Sequence, residues 1–158
     1  MPCRVTRSRS RYLTGTAAAT AVCAAGCLVG AATVWAANCT LNVQSVVFGT
    51  YDAPSSQNVD SVGSITVGCD AFASYSLSLS SGYGTMAGRH LQSGTSVLLY
   101  NLYSDTVRSI IWGDGSGGTA LVNGSGTSVS YSIYGRVPGR QNVMAGVYTD
   151  TVTVSLIF

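Results

Sequence analysis

Lysine and glutamate are absent from this 158-residue sequence, and histidine occurs once, as His90. Charged residues make up only 9% of the chain, and its six acidic residues are all aspartates that are scattered along it. Acid–base or metal catalysis requires several such groups to be brought together in one site. The sequence therefore predicts a protein that is not an enzyme and that has no cofactor and no metal site.

A sustained helical pattern of apolar residues is also missing from residues 37–158. Short runs alternate between apolar and polar residues instead, as where Tyr75, Leu77 and Leu79 have serines between them. This period of two is typical of half-buried strands. The predicted strands lie at about 41–48, 65–69, 75–79, 97–103, 110–112, 129–133 and 151–158. Some seven short strands with Gly, Ser and Asn turns predict an all-β fold, an antiparallel β-sandwich in one domain.

The positive charge of the chain is concentrated at its start. Four of the eight arginines lie there, namely Arg4, Arg7, Arg9 and Arg11. An uncharged run rich in alanine follows as far as Ala37, with small residues near Ala36, which is the pattern of a secretory signal peptide. We predict a signal peptide at 1–36, cleaved after Ala36, and one exported domain at 37–158 with no permanent membrane span. A transmembrane anchor is the alternative, because the run is long enough to cross a bilayer.

Removal of this leader changes both the charge and the cysteine content. Residues 37–158 keep four arginines against six aspartates. The basic pI of 8.3 for the whole chain is therefore no evidence for nucleic-acid binding. Of the five cysteines, only Cys39 and Cys69 remain. Two cysteines in an oxidising compartment most simply form one disulfide.

The C-terminal stretch 151–158 shows the clearest alternation. Val152, Val154, Leu156 and Phe158 point one way, and Thr151, Thr153, Ser155 and Ile157 point the other. A half-buried strand of this kind leaves an edge that promotes aggregation unless another strand pairs with it. The pattern therefore predicts that a partner strand pairs with 151–158.

Several segments with specific motifs follow one another in a fixed order. They are Val47–Asp52 after Cys39, the strand that ends at Cys69, Leu99–Tyr103, Trp112–Gly115, Tyr134–Pro138 and Gly146–Val154. In this order they resemble the spore coat U domain family, which includes subunits of archaic chaperone–usher pili. The motif residues are Phe48, Gly49, Tyr51, Tyr100, Asn101, Tyr103, Trp112, Gly113, Asp114, Gly135, Gly146, Tyr148 and Asp150. The resemblance extends from Cys39 to Phe158.

The resemblance implies an immunoglobulin-like sandwich that lacks its final strand. In such subunits a periplasmic chaperone first fills the hydrophobic groove that is left open. After transfer to an outer-membrane usher, the donor strand of a neighbouring pilus subunit replaces the chaperone by β-strand addition. The groove residues that the resemblance implies here are Val152, Val154, Leu156 and Phe158. The expected protein is a secreted structural subunit that passes through the periplasm to a surface fibre or coat.

One feature departs from the pattern of a polymerising subunit. Cleavage after Ala36 leaves only Ala37 and Asn38 before Cys39, so no N-terminal donor strand is evident. This predicts a terminal, tip-type subunit. The alternative from another functional class is a self-contained β-sandwich that binds a surface or a carbohydrate, and that folds without a partner strand.

Three single residues have competing interpretations. Tyr148 resembles the tyrosine corner of sandwich folds, in which the hydroxyl binds nearby backbone. Trp112 belongs either to the core or to an exposed adhesive patch, and the core is the ordinary place for a large aromatic. Asp114 lies in a glycine-rich loop and is more simply a turn residue than a calcium ligand, because no further carboxylates alternate with it.

Overall fold

The computed structural model describes residues 37–158, in which six strands form an antiparallel, curled, sandwich-like sheet around one core. The predicted signal peptide, residues 1–36, lies outside the described residues. The strands are β1 (Cys39–Gln44), β2 (Val59–Leu79), β3 (Arg89–Ser93), β4 (Ser96–Tyr103), β5 (Val122–Val137) and β6 (Val154–Ile157). The predicted all-β class is confirmed. Within residues 37–158, no helix has the length and apolar character that crossing a bilayer requires.

The long strands β2 and β5 form the centre of the fold. The strand order is β1-β2-β5-β4-β3, and β6 pairs with the second half of β2. A shift of register between Gly68 and Ala73 interrupts the β2–β5 ladder. The sequence pattern predicted two strands, 65–69 and 75–79, but they are two halves of β2. A bulge of this kind adds residues to one strand and bends it without ending it.

The core is formed by the inward residues of these strands, such as Ile65, Val67 and Leu77 of β2 and Ile133 of β5, each at most 4% exposed. Burying a side chain of this size stabilises the fold by roughly 1.5–3 kcal/mol. Trp112 is fully buried, and its indole N–H donates a 3.0 Å hydrogen bond to the Leu77 carbonyl. Trp112 is therefore a core residue and not part of an adhesive surface.

A disulfide joins Cys39 to Cys69, which lie opposite each other on β1 and β2. The bond fastens the first strand to the centre of the sheet. Asn38, directly before it, is also held against β2: its N–H donates a 2.8 Å hydrogen bond to Oδ1 of Asp70, and its carbonyl accepts one from the Asp70 N–H.

Four further parts of the strand prediction were wrong. The chain leaves the sheet after Gln44, so residues 46–48 are not a strand. Residues 110–112 make only isolated bridges, Tyr103 with Ile111 and Trp112 with Ala120. Strand β3 was missed because its sequence is polar; it pairs with β4 through a tight turn in which Gly94 has the positive φ of 57° that a type II′ turn requires. Strand β6 is also shorter than the predicted 151–158.

Candidate functional site

An open groove of about 650 Å³ runs along one side of the fold. One wall is the segment Val46–Pro54, and the other wall is the segment Val143–Tyr148. Neither wall belongs to a strand, so the sheet is not continuous across the groove. The floor is formed by Leu91, Leu98 and Val137, which are almost fully buried.

The first wall presents apolar side chains both to the core and to solvent. Val46 is 5% exposed and packs inward, whereas Val47 is 68% exposed. The ring of Phe48 meets the ring of Tyr100 edge to face, with centroids 5.7 Å apart. Gly135 on β5 allows this close approach, because a Cβ there would lie 2.7 Å from both Phe48 and Val46. The wall is thus packed against the sheet without being hydrogen-bonded into it as a strand.

The second wall is more exposed than the first. Met144 is 65% exposed and Val147 is 82% exposed. The Tyr148 hydroxyl donates to the carbonyl of Met144, four residues earlier, and lies 2.8 Å from the Ser96 hydroxyl. This is the local tie that the tyrosine-corner resemblance predicted. Beyond it, Thr149 exchanges two backbone hydrogen bonds with Gln92 of β3, so the wall rejoins the sheet at its far end.

The first wall is hydrogen-bonded to the segment that leads into the second wall. The Tyr51 hydroxyl donates to the Pro138 carbonyl at 3.1 Å and accepts a 2.7 Å hydrogen bond from the Gln141 N–H. The side chain of Gln141 also binds the backbone N–H and carbonyl of Leu99.

The groove has the chemistry of a binding site for an extended apolar segment. Its walls expose Val47, Met144 and Val147, and large exposed apolar side chains that cluster mark interaction sites. The described part of the chain contains no group of three or more His, Cys or Asp residues that could hold a metal ion.

The four residues that the resemblance assigned to the groove lie elsewhere. Val152 is 5% exposed and Val154 is 1% exposed, and both belong to the core. The reason is that β6 pairs with β2, with Val154 opposite Leu79, so that these side chains point inward. Leu156 packs partly against the core, and Phe158 is 69% exposed. Sequence reasoning missed the wall residue Val147, and its only signal was its place between Gly146 and Tyr148.

Several motif residues converge on a buried polar cluster beneath the second wall. The Tyr100 hydroxyl donates a 2.6 Å hydrogen bond to Oδ2 of Asp150, which is 1% exposed. Oδ1 of Asp150 accepts from the backbone N–H groups of Tyr83 and Thr151. The positive φ of Gly82 and its lack of a Cβ leave room for this carboxylate. Asp150 therefore fixes the chain between the second wall and β6.

Arg89 completes the cluster, and the sequence analysis did not single it out. It is fully buried, and it donates to the carbonyls of Ser80 and Trp112 and to Oδ1 of Asn101. The Asn101 amide in turn donates to the carbonyls of Met86 and Ala87. Burial lowers the pKa of Arg89, and the nearby Tyr100 partly opposes this effect. The hydrogen bonds show that Arg89 and Asn101 have a structural role.

The remaining motif residues are also structural. Gly113 lies so close to Thr119 that a Cβ would collide with the threonine side chain. The Asp114 carboxylate accepts hydrogen bonds from the hydroxyl and the N–H of Ser116, and these bonds lower its pKa. Asp114 is thus a turn residue. Tyr103 ends β4 opposite Tyr134.

Comparison with known proteins identifies relatives of this chain. The model of the Spore Coat Protein U domain matches residues 13–155. Protein U of Myxococcus xanthus is 36% identical over 125 residues, which are 70% of this chain and 70% of that protein. The structure resembles a chain of the CsuC–CsuE chaperone–tip adhesion subunit pre-assembly complex, from archaic chaperone–usher Csu pili of Acinetobacter baumannii. The TM-score is 0.55 at 23% identity, and the match covers 78% of this chain but only 40% of that chain.

Proposed function

The chain belongs to the Spore Coat Protein U domain family, and on that basis we propose that it is a structural subunit of a surface coat or pilus. The family consists of structural proteins, and the chain is not an enzyme. It passes through the periplasm, where a chaperone holds it, and it is then assembled at the cell surface. In assembly, it accepts a β-strand from a partner protein into the open groove.

The observation that carries this proposal is the gap between the walls Val46–Pro54 and Val143–Tyr148. The gap exposes apolar side chains over a floor that is already packed. An added strand would supply backbone hydrogen bonds to the walls and would place alternate side chains over the floor. Among the described residues, no segment of this chain occupies the groove, so the added strand would come from a second protein: first the chaperone, then a neighbouring subunit delivered by the usher.

A tip-type position is the finer part of the proposal, and it depends on cleavage after Ala36. The two residues then left before Cys39 include Asn38, which is already bonded to Asp70 of β2. Such a protein would accept a strand but have none to donate. N-terminal sequencing of the exported protein tests this directly: a start at Ala37 supports the tip position, whereas a start ten or more residues earlier removes its basis.

The proposed function is tested by periplasmic expression of the full chain with and without a chaperone of the archaic chaperone–usher type. We expect soluble protein only when the chaperone is present, recovered as a one-to-one complex. An alternating apolar donor peptide should then displace the chaperone. A soluble monomer that unfolds cooperatively without a chaperone, and that binds no donor peptide, would contradict the proposal.

A further inference from the structure

Gln141 lies just before the second wall and bonds to three separate parts of the fold around the groove. Its backbone N–H donates a 2.7 Å hydrogen bond to the Tyr51 hydroxyl of the first wall. Its side-chain Oε1 accepts from the Leu99 N–H at 2.7 Å, and its Nε2 donates to the Leu99 carbonyl at 2.9 Å. Nε2 also donates to the Pro138 carbonyl at 3.0 Å. One residue therefore contacts the first wall, β4 and the chain directly after β5.

The side-chain amide of Gln141 replaces backbone hydrogen bonds that β4 and β5 cannot make. These strands pair as far as Asn101 and Arg136, and the same register continued by two residues would place Leu99 opposite Pro138. Proline has no N–H to donate to the Leu99 carbonyl. A primary amide has a donor and an acceptor side by side, as the peptide group does. Gln141 presents both of them to Leu99, in the manner of a neighbouring strand.

The backbone around Gln141 is bound to the first wall and to the loop that follows that wall. Three consecutive N–H groups, those of residues 139–141, donate to the Asn58 side chain, the Ser55 carbonyl and the Tyr51 hydroxyl, at 3.2, 2.8 and 2.7 Å. These bonds fix the backbone of the segment on one side, and the Gln141 amide adds the contact with β4. The segment that leads into the second wall is thus held from two directions.

We propose that Gln141 is a positioning residue, which holds the second wall where a partner strand binds; this inference rests on the proposed function. Leu98 and Val137 of the groove floor are chain neighbours of the two residues that the amide binds. The second wall begins at Val143, two residues after Gln141. The amide therefore fixes the start of this wall relative to the floor. A partner strand meets a wall that is already ordered, so less conformational entropy is lost on binding.

The hydrogen bonds of the amide can be separated experimentally from its size. Gln141→Met keeps a side chain of similar length and removes both the donor and the acceptor. Gln141→Glu keeps the shape, but an ionised carboxylate offers acceptors only. It would face the carbonyls of Leu99 and Pro138 without a proton to donate to either. A neutral carboxyl, in contrast, has one donor and one acceptor, and it can repeat the pattern of the amide toward Leu99.

The test measures how fast the strand-filled protein releases a labelled, alternating apolar donor peptide in competition with the unlabelled peptide. At pH 7 we expect Gln141→Met and Gln141→Glu to release the peptide about tenfold faster than the parent, because affinity differences between related complexes lie mainly in the release rate. Gln57→Met is the matched control at an exposed loop position. Ile65→Val loosens the buried core away from both walls. Both controls should release the peptide at the rate of the parent.

Acid should restore the glutamate variant selectively. The ordinary pKa of a glutamate is about 4.3. Between pH 7 and pH 4, the release rate of Gln141→Glu should therefore approach that of the parent, because the neutral carboxyl can donate to the Leu99 carbonyl and accept from its N–H. The ratio between Gln141→Met and the parent should stay constant. Each rate is divided by that of the parent at the same pH, which contains the same neighbouring titratable and charged groups: Tyr51, Asp52, His90 and Arg140.

Two results would overturn this inference and leave the proposed function standing. The first is release from both Gln141 variants at the rate of the parent. The second is equally fast release from Ile65→Val, without restoration of Gln141→Glu by acid, because the effect would then be a general loss of stability. If Gln141→Met is not recovered, Gln141→Glu decides alone: restoration by acid supports the inference, and a constant ratio overturns it. An unaltered protein that binds no donor peptide would overturn the proposed function and this inference together.

Discussion

Tyr100 and Asp150 connect the two walls of the groove through the core. The Tyr100 hydroxyl donates a 2.6 Å hydrogen bond to the buried Asp150 carboxylate, which lies just beyond the second wall. The ring of the same tyrosine packs edge to face against Phe48 of the first wall. One side chain on β4 therefore contacts the first wall and also holds the carboxylate that lies just beyond the second wall.

Removal of the Tyr100 hydroxyl should destabilise the fold. In Tyr100→Phe the ring keeps its contact with Phe48, but Oδ2 of Asp150 loses its donor in a site without access to water. We expect the free energy of unfolding to fall by about 1–3 kcal/mol, as measured by denaturant titration. Tyr83→Phe is the matched control, because Tyr83 is 48% exposed. An effect of equal size in both variants would contradict this role of the Tyr100–Asp150 bond.

The disulfide should contribute substantially to stability. Cys39 and Cys69 are 30 residues apart in sequence. Closing a loop of this size lowers the conformational entropy of the unfolded chain, which raises the free energy of unfolding by roughly 3–4 kcal/mol. Cys69→Ser should therefore lower the midpoint of unfolding under oxidising conditions. Added reductant should lower the midpoint of the unaltered protein to that of the variant and leave the variant unchanged. A variant as stable as the oxidised parent would show that the bond has no such effect.

The ion pair between Asp60 and Arg136 should contribute a small stability that depends on pH. The hydrogen bond from Arg136 holds the pKa of Asp60 below its ordinary value, so the native state favours the ionised form. The contribution is present above the ordinary pKa of about 4 and is lost as the pH falls through the lower native value.

The variant Asp60→Asn tests this pH dependence. Because the pair is about one-third exposed, solvent screens it, and the variant should lose only about 0.5–1 kcal/mol at pH 7. The difference between the variant and the parent should shrink as the pH falls through the lowered pKa of Asp60, because the neutral carboxyl no longer attracts Arg136. A difference that is constant between pH 7 and pH 2 would mean that the charge of Asp60 is not its cause.

A charge in the second wall should prevent strand binding without disturbing the core. Val147 lines the groove and is 82% exposed, so Val147→Asp should fold but should disfavour an apolar donor strand. We expect recovery of the chaperone complex to fall by about tenfold or more. Val107→Asp is the matched control, because Val107 is 74% exposed and lies outside the groove. Equal losses in both variants would rule out a specific effect of the wall.

Val154→Asp is less informative, because a charge at this buried position would unfold the protein in any case.

The alternation of apolar residues predicted the strands that have one buried face, but not how they join. The inward residues Tyr75, Leu77 and Leu79 were recognised from their period of two, and the structure buries all three. The pattern could not show that a bulge connects this run to the preceding one within β2. It also could not show β3, because the key residue of β3, Arg89, is polar and is buried only through acceptors that come from distant parts of the chain.

The resemblance to the family predicted that the fold has an open groove, but it did not predict which residues line that groove. The alternation at Val152 and Val154 is also what a strand without a partner would show. Only the pairing of β6 with β2 shows that these two side chains are buried in the core. The second wall, Val143–Tyr148, has no periodicity, because irregular backbone exposes Met144 and Val147. The second wall can be identified only when the position of the first wall is known, and the first wall lies about ninety residues earlier in the sequence.

Amide hydrogen exchange of the protein, in its chaperone complex and after displacement by a donor peptide, tests the central claim most directly. If the groove accepts a strand, amides in both walls, Val46–Pro54 and Val143–Tyr148, should be protected in both states, while the amide of the exposed Val107 should exchange equally fast with and without the added strand. Protection confined to the outer edge of β6, with both walls still exchanging freely, would contradict this account and would move the acceptor site to the C-terminal strand.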